Sequence, residues 1–138
     1  MGRIISIDYG ENQTGLAVSD LLKMIASPLN TISSREVIIY LKNYTKTNDV
    51  ELFILGEARQ MNYSPSKNMI KIRNFKKKLK ESMPLIGIEM ADERFTSVLA
   101  HRAMIDGGIK KMKRRDKKLI NKLSATILLQ TYLESLKK

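Results

Sequence analysis

Two short, nearly continuous apolar runs, Val50–Gly56 and Leu85–Ala91, each follow a stretch of helical periodicity, and that alternation leaves the chain few folds to adopt. A run of this length without polar alternation is the pattern of a strand covered on both faces. Strands reached through a helix are parallel, because a parallel pair needs a long crossover, and such crossovers are right-handed. Residues 3–9, rich in β-branched side chains and stopping at Gly10, supply a first strand to which the other two run parallel.

Between these runs the remaining elements fall into place. Gly10–Gln13 reads as a turn and Thr14–Asp20 as an antiparallel second strand, so a hairpin opens the fold. Met24–Ile32 is a third strand, placed at a sheet edge by Pro28. Ser33 with Glu36 fits a capping box, and Val37, Ile38, Leu41 and Tyr44 then recur at helical spacing, which predicts a helix over Ser34–Thr47. A second helix, ended by Pro84, turns Met69, Ile72, Leu79 and Met83 inward and Lys71, Arg73, Lys76, Lys77, Lys78 and Lys80 outward. Thr96 opens a third helix that Gly107-Gly108 closes after Asp106, and the last helix covers about Lys117–Leu136. Its apolar set is Ile120, Leu123, Ile127, Leu128 and Leu133, and small Ser124 and Ala125 let it lie close to the sheet. The order β-β-β-α-β-α-β-α-α predicts one α/β domain over residues 1–138, a mixed five-stranded sheet flanked by helices.

Composition narrows the chemistry. Cysteine is absent and histidine occurs once, so any bound metal is held by oxygen or by His101, which points to a hard cation. No segment approaches the roughly 18 apolar residues of a membrane span, and no leader pattern is visible, so a cytoplasmic protein with no membrane partner is expected. The opening Met1–Ser6 formally fits a myristoylation signal but reads as part of the first strand. Twenty-five Lys and Arg against fourteen Asp and Glu give a net charge of +11, which points to a polyanionic partner. The excess is densest at Lys110–Lys118, where seven of nine residues are basic, and this segment reads as a mobile phosphate-binding loop.

In a sheet of this kind ligands bind beyond the carboxyl ends of the parallel strands. Asp8 ends the first strand, Glu57 follows the fourth, and Asp92 and Glu93 follow the fifth. Carboxylates gathered on one rim repel each other unless a multivalent cation neutralises them, which predicts Mg²⁺ or Mn²⁺ there. Two such ions about 4 Å apart suit phosphodiester hydrolysis. The same acidic residues would equally serve in turns or as solvated loop side chains, and spacing alone leaves both readings open. Tyr9, next to Asp8, either stacks on a base or closes the hairpin.

Three motifs go further. Ile7-Asp8-Tyr9-Gly10 with Thr14–Asp20, Asp92-Glu93-Arg94-Phe95-Thr96-Ser97, and Ser124–Leu133 together resemble the YqgF family, also called the RuvX family, over essentially the whole chain and in the family's order. The resemblance implies a ribonuclease H-like fold and a cytoplasmic bacterial nuclease that processes the 5′ end of pre-16S rRNA, with Holliday junction cleavage as an older assignment. Carried over by position, it implies Asp8 and Glu93 as catalytic metal ligands, with Arg94 beside the metal to hold a phosphate.

This chain departs from the family pattern at Asn121, which stands where a third catalytic aspartate is usual. An amide oxygen can coordinate but brings no charge, so weaker metal binding and weakened activity are expected. Glu57 is the candidate that would restore the missing charge. The expected nucleic-acid contacts are Arg94, Lys110, Lys111, Lys113, Arg114, Arg115, Lys117 and Lys118. Three readings follow: an endonuclease on structured RNA, a resolvase of branched DNA, or a nucleic-acid-binding protein with a disabled site. A resolvase cutting two matched strands is expected to be a homodimer, whereas the RNA enzyme can act as a monomer.

Overall fold

The computed structural model describes residues 2–57, 67–92 and 117–136. In chain order these form β1 (Arg3–Asp8), β2 (Gln13–Ser19), β3 (Ala26–Ser33), a 3-10 turn (Ser34–Glu36), α1 (Val37–Thr47), β4 (Val50–Glu57), α2 (Lys67–Ser82), β5 (Gly87–Asp92) and α3 (Lys117–Ser135). The strands make one sheet of order β3-β2-β1-β4-β5. β1, β4 and β5 are parallel, while β2 pairs antiparallel with β1 and β3. The mixed five-stranded α/β sheet expected from the sequence is therefore present. The helix expected over 96–106 and the basic loop as far as residue 116 lie outside the described residues.

Strand alternation divides the core into two layers. Ile5 and Ile7 of β1 and Phe53 and Leu55 of β4 bury against Val37 and Leu41 of α1 and Ile72, Phe75 and Leu79 of α2. Ile4, Ala17 and Ile54 project from the opposite face and bury against Ala125, Leu128, Leu129 and Leu133 of α3. Each fully buried Ile or Leu in these layers contributes about 1.5–3 kcal/mol of hydrophobic stabilisation. Ser124 and Ala125 are both buried, and the Ser6 hydroxyl donates a 2.6 Å hydrogen bond to the Ala125 carbonyl, so α3 does lie close on the sheet.

Four local expectations change. The helix over 34–47 starts later, at Val37, because Ser33 makes no side-chain cap and a 3-10 turn occupies Ser34–Glu36. The Ser34 hydroxyl is instead spent on the hairpin, donating 2.6 Å to the Gly10 carbonyl and sharing a 2.7 Å hydrogen bond with Thr14. β5 starts at Gly87 rather than Leu85, since pairing with β4 begins at Leu52 opposite Gly87 and leaves Leu85 99% exposed in the preceding turn. In α3 the sheet-facing stripe runs through Leu129, whereas Ile127 is half-buried.

The turn between β1 and β2 tolerates no side chain at position 10. A Cβ on Gly10 would stand 2.3 Å from the Gln13 carbonyl oxygen, a backbone atom that cannot rotate away. Gly10→Ala is accordingly expected to cost about 1–3 kcal/mol, as overpacking does elsewhere. Urea denaturation measures this, and an unchanged midpoint would show that the turn can relax around a methyl group.

Candidate active site

The sheet's register builds the site. Ile7 pairs with Leu55 and Asp8 with Gly15, while Gly56 pairs with Ala91 and Glu57 with Asp92. One row across the rim thus reads Gly15, Asp8, Gly56, Ala91, and a second, one residue further out, holds Glu57 and Asp92. Asp8 shares the parity of Ile4 and Ser6, so its half-buried carboxylate lies on the face covered by α3. In its own row the adjacent strands present two glycines, followed by a single methyl group. The acidic side chain is flanked by backbone.

The direction of α3 brings one end of the helix to this rim. Gln130 Oε1 accepts a 2.9 Å hydrogen bond from the amide of Ala26, which pairs with Ser19 at the opposite edge of the sheet from Asp8. From the Ser6–Ala125 contact, β1 advances about 6.6 Å to Asp8. Over the same span α3 steps back about 6 Å from Ala125 to Asn121. The backbone of Asn121 therefore comes level with the end of β1, on the side of the sheet that carries Asp8. Three residues on, the buried Ser124 hydroxyl oxygen has no hydrogen-bond partner among the described residues. An unsatisfied buried oxygen costs about 1–3 kcal/mol unless water or a ligand meets it.

Burial and a hydrogen bond to Glu89 push the Tyr132 phenol up, which also fixes Glu89 of β5 on the α3 side. Asp20 caps the loop that follows β2, and amide hydrogen bonds from Ile25 and Met24 hold its carboxyl below the usual carboxylate range.

Of the residues singled out in the sequence, Asp8 is described in full. Glu57, Asn121, Lys117 and Lys118 are placed by their backbones alone, and Glu93, Arg94, Lys110, Lys111, Lys113, Arg114 and Arg115 lie outside the described residues. Among the described residues no three His, Asp or Glu side chains come close enough to share a metal, so a metal site would draw on residues beyond them. Sequence reasoning did not anticipate Gly15, Gly56 and Ala91 as neighbours of Asp8. Their spacing in the chain carries no signal until the register is known.

A parallel core of β1, β4 and β5 extended by an antiparallel hairpin, with an aspartate ending the central strand and a helix end beside it, defines a ribonuclease H-like domain. The structure of T. thermophilus RuvC in complex with Holliday junction substrate superposes with a TM-score of 0.60 over 99% of this chain and 96% of that one, at 13% identity. The chain belongs to the family described as "RuvX: Holliday junction resolvase", whose model matches residues 2–135. It is 60% identical over 138 residues, all of both chains, to a protein of Azobacteroides pseudotrichonymphae genomovar. CFP2 named "Putative pre-16S rRNA nuclease". It is 52% identical to a protein of the same name from Parabacteroides distasonis, covering 99% of this chain and 98% of that one. Among the described residues no helix is long and apolar enough to cross a membrane.

Proposed function

We propose that this chain is a divalent-metal-dependent nuclease that hydrolyses phosphodiester bonds in structured RNA, and that its substrate is the 5′-extended precursor of 16S rRNA. The observation that carries this reading is the rim of the sheet. Asp8 ends the central strand between two glycines, level with Asn121 of α3, in a chain whose relatives are named for that activity. Processing of this precursor implies a cytoplasmic enzyme.

The donor set fits a hard cation such as Mg²⁺ or Mn²⁺. It is all oxygen, and it includes the half-buried carboxylate of Asp8. Asp8, Glu93 and Asn121 are the proposed ligands. Glu57, at the end of β4, is proposed to add negative charge at the rim. When bound, the divalent ions supply an activated water and neutralise charge on the leaving oxygen. Asp8 and Glu93 orient those ions. Arg94 and the cations Lys110, Lys111, Lys113, Arg114, Arg115, Lys117 and Lys118 hold phosphates and set the strand's path across the rim.

Incubating the protein with a 5′-extended 16S precursor in Mg²⁺ is expected to shorten the 5′ end, as read by primer extension, and EDTA is expected to abolish the reaction. The family description and the junction-bound neighbour favour a second reading, resolution of branched DNA. A protein that sediments as a dimer and cuts a four-way junction, while leaving the precursor intact in both Mg²⁺ and Mn²⁺, would establish that reading instead.

A further inference from the structure

Asp8 and Tyr9 are consecutive, so strand alternation sends them to opposite faces of the sheet, and the face that receives Tyr9 carries a groove of its own. A cavity of ≈ 330 Å³ opens between the β1–β2 turn, the start of α1 and the outer face of α2, lined by Tyr9, Arg35, Lys71, Asn74, Phe75 and Lys78. The Tyr9 ring stacks on Phe75 with centroids 4.4 Å apart and planes 24° from parallel. Phe75 is buried and Tyr9 only half-buried, which leaves an aromatic surface backed by the core and open to the groove. The acidic residue at its edge, Glu11, is already engaged by Lys71 at 2.6 Å. Arg35 and Lys78 are both exposed there.

We infer that this groove binds one nucleotide unit of a single strand that flanks the cleavage point. An aromatic platform stacks any base, two cations meet its phosphates, and the Asn74 amide offers one donor and one acceptor to a base edge. The groove lies one residue along the chain from Asp8, so a strand crossing the rim passes directly from the α3 face into it. The inference rests on the nuclease reading for the identity of the strand, but its test does not need cleavage.

The test is fluorescence anisotropy with a labelled twelve-nucleotide single-stranded RNA in EDTA. The double variant Arg35→Gln/Lys78→Gln is expected to bind about tenfold more weakly than wild type at moderate salt. Its log–log salt slope should flatten by about 1.4, from two lost phosphate contacts at roughly 0.7 each. Lys42→Gln/Lys46→Gln removes the same charge from the exposed far half of α1 and should change affinity less than twofold. Tyr9→Phe is expected to retain binding and Tyr9→Leu to lose it; should the latter unfold, the charge variants still decide. Equal affinities for the two double variants would overturn the inference. So would displacement of the strand by uridine 5′-monophosphate at equal nucleotide concentration, which marks a pocket for free nucleotides. A protein that binds through this groove yet cuts nothing retires the nuclease reading alone. One that cuts the precursor while Arg35→Gln/Lys78→Gln binds normally retires the groove alone.

Discussion

Asp8→Asn is expected to slow precursor cleavage in Mg²⁺ about a thousandfold, equivalent to about 4 kcal/mol of transition-state stabilisation, while leaving the fold intact. The substitution keeps the volume of the side chain and one oxygen, but removes the negative charge that, on the proposed reading, would hold the ions at the end of β1. Its neighbours in the row, Gly15, Gly56 and Ala91, carry no group that could substitute for it. Stability should change little, because Asp8 is half-buried at the rim and contributes nothing to either apolar cluster. Single-turnover rates and a thermal melt read the two quantities separately. Retained cleavage with an unshifted Mg²⁺ optimum would remove Asp8 from the site and require the metal to be held elsewhere.

The opposite change is expected at position 121. Asn121→Asp adds the charge that the family pattern has there, and should lower the Mg²⁺ concentration for half-maximal cleavage about tenfold, with a matching gain in rate at low metal. The position lies in the second turn of α3. A metal titration of cleavage measures the shift. If the natural chain is inert at every Mg²⁺ concentration and Asn121→Asp cuts, the protein is a nucleic-acid binder with a disabled centre. If the two titrations coincide, Asn121 is not a ligand.

Much of the architecture was legible along the chain because the relevant forces are local. Val50–Gly56 is apolar at nearly every position, which only a strand covered on both faces permits, and Phe53, Ile54 and Leu55 are indeed fully buried. The closeness of α3 to the sheet was legible in Ser124 and Ala125 for the same reason, since small residues set the approach distance. Errors fell where a residue had two possible partners. Ser33 looks like a helix cap in sequence and Ser34 like the first helical residue, yet the Ser34 hydroxyl satisfies the Gly10 carbonyl and Thr14, groups that reach it only when the hairpin folds back. Leu85 looks like the start of a strand, but pairing with β4 begins only at Gly87, opposite Leu52, and Leu85 stays exposed in the turn before it.

The sequence by itself determined the element order, the parallel core, the placing of Asp8 at a strand end, and the strong positive charge. Each follows from hydrophobic periodicity, turn chemistry or simple counting, which act over a few neighbouring residues. Only the tertiary structure decided which residues flank Asp8, which end of α3 meets the rim, and that Tyr9 and Phe75 stack to form a groove between two helices and a turn. Those depend on pairing register and on parity carried across the sheet, where a slip of one residue would send every side chain to the other face.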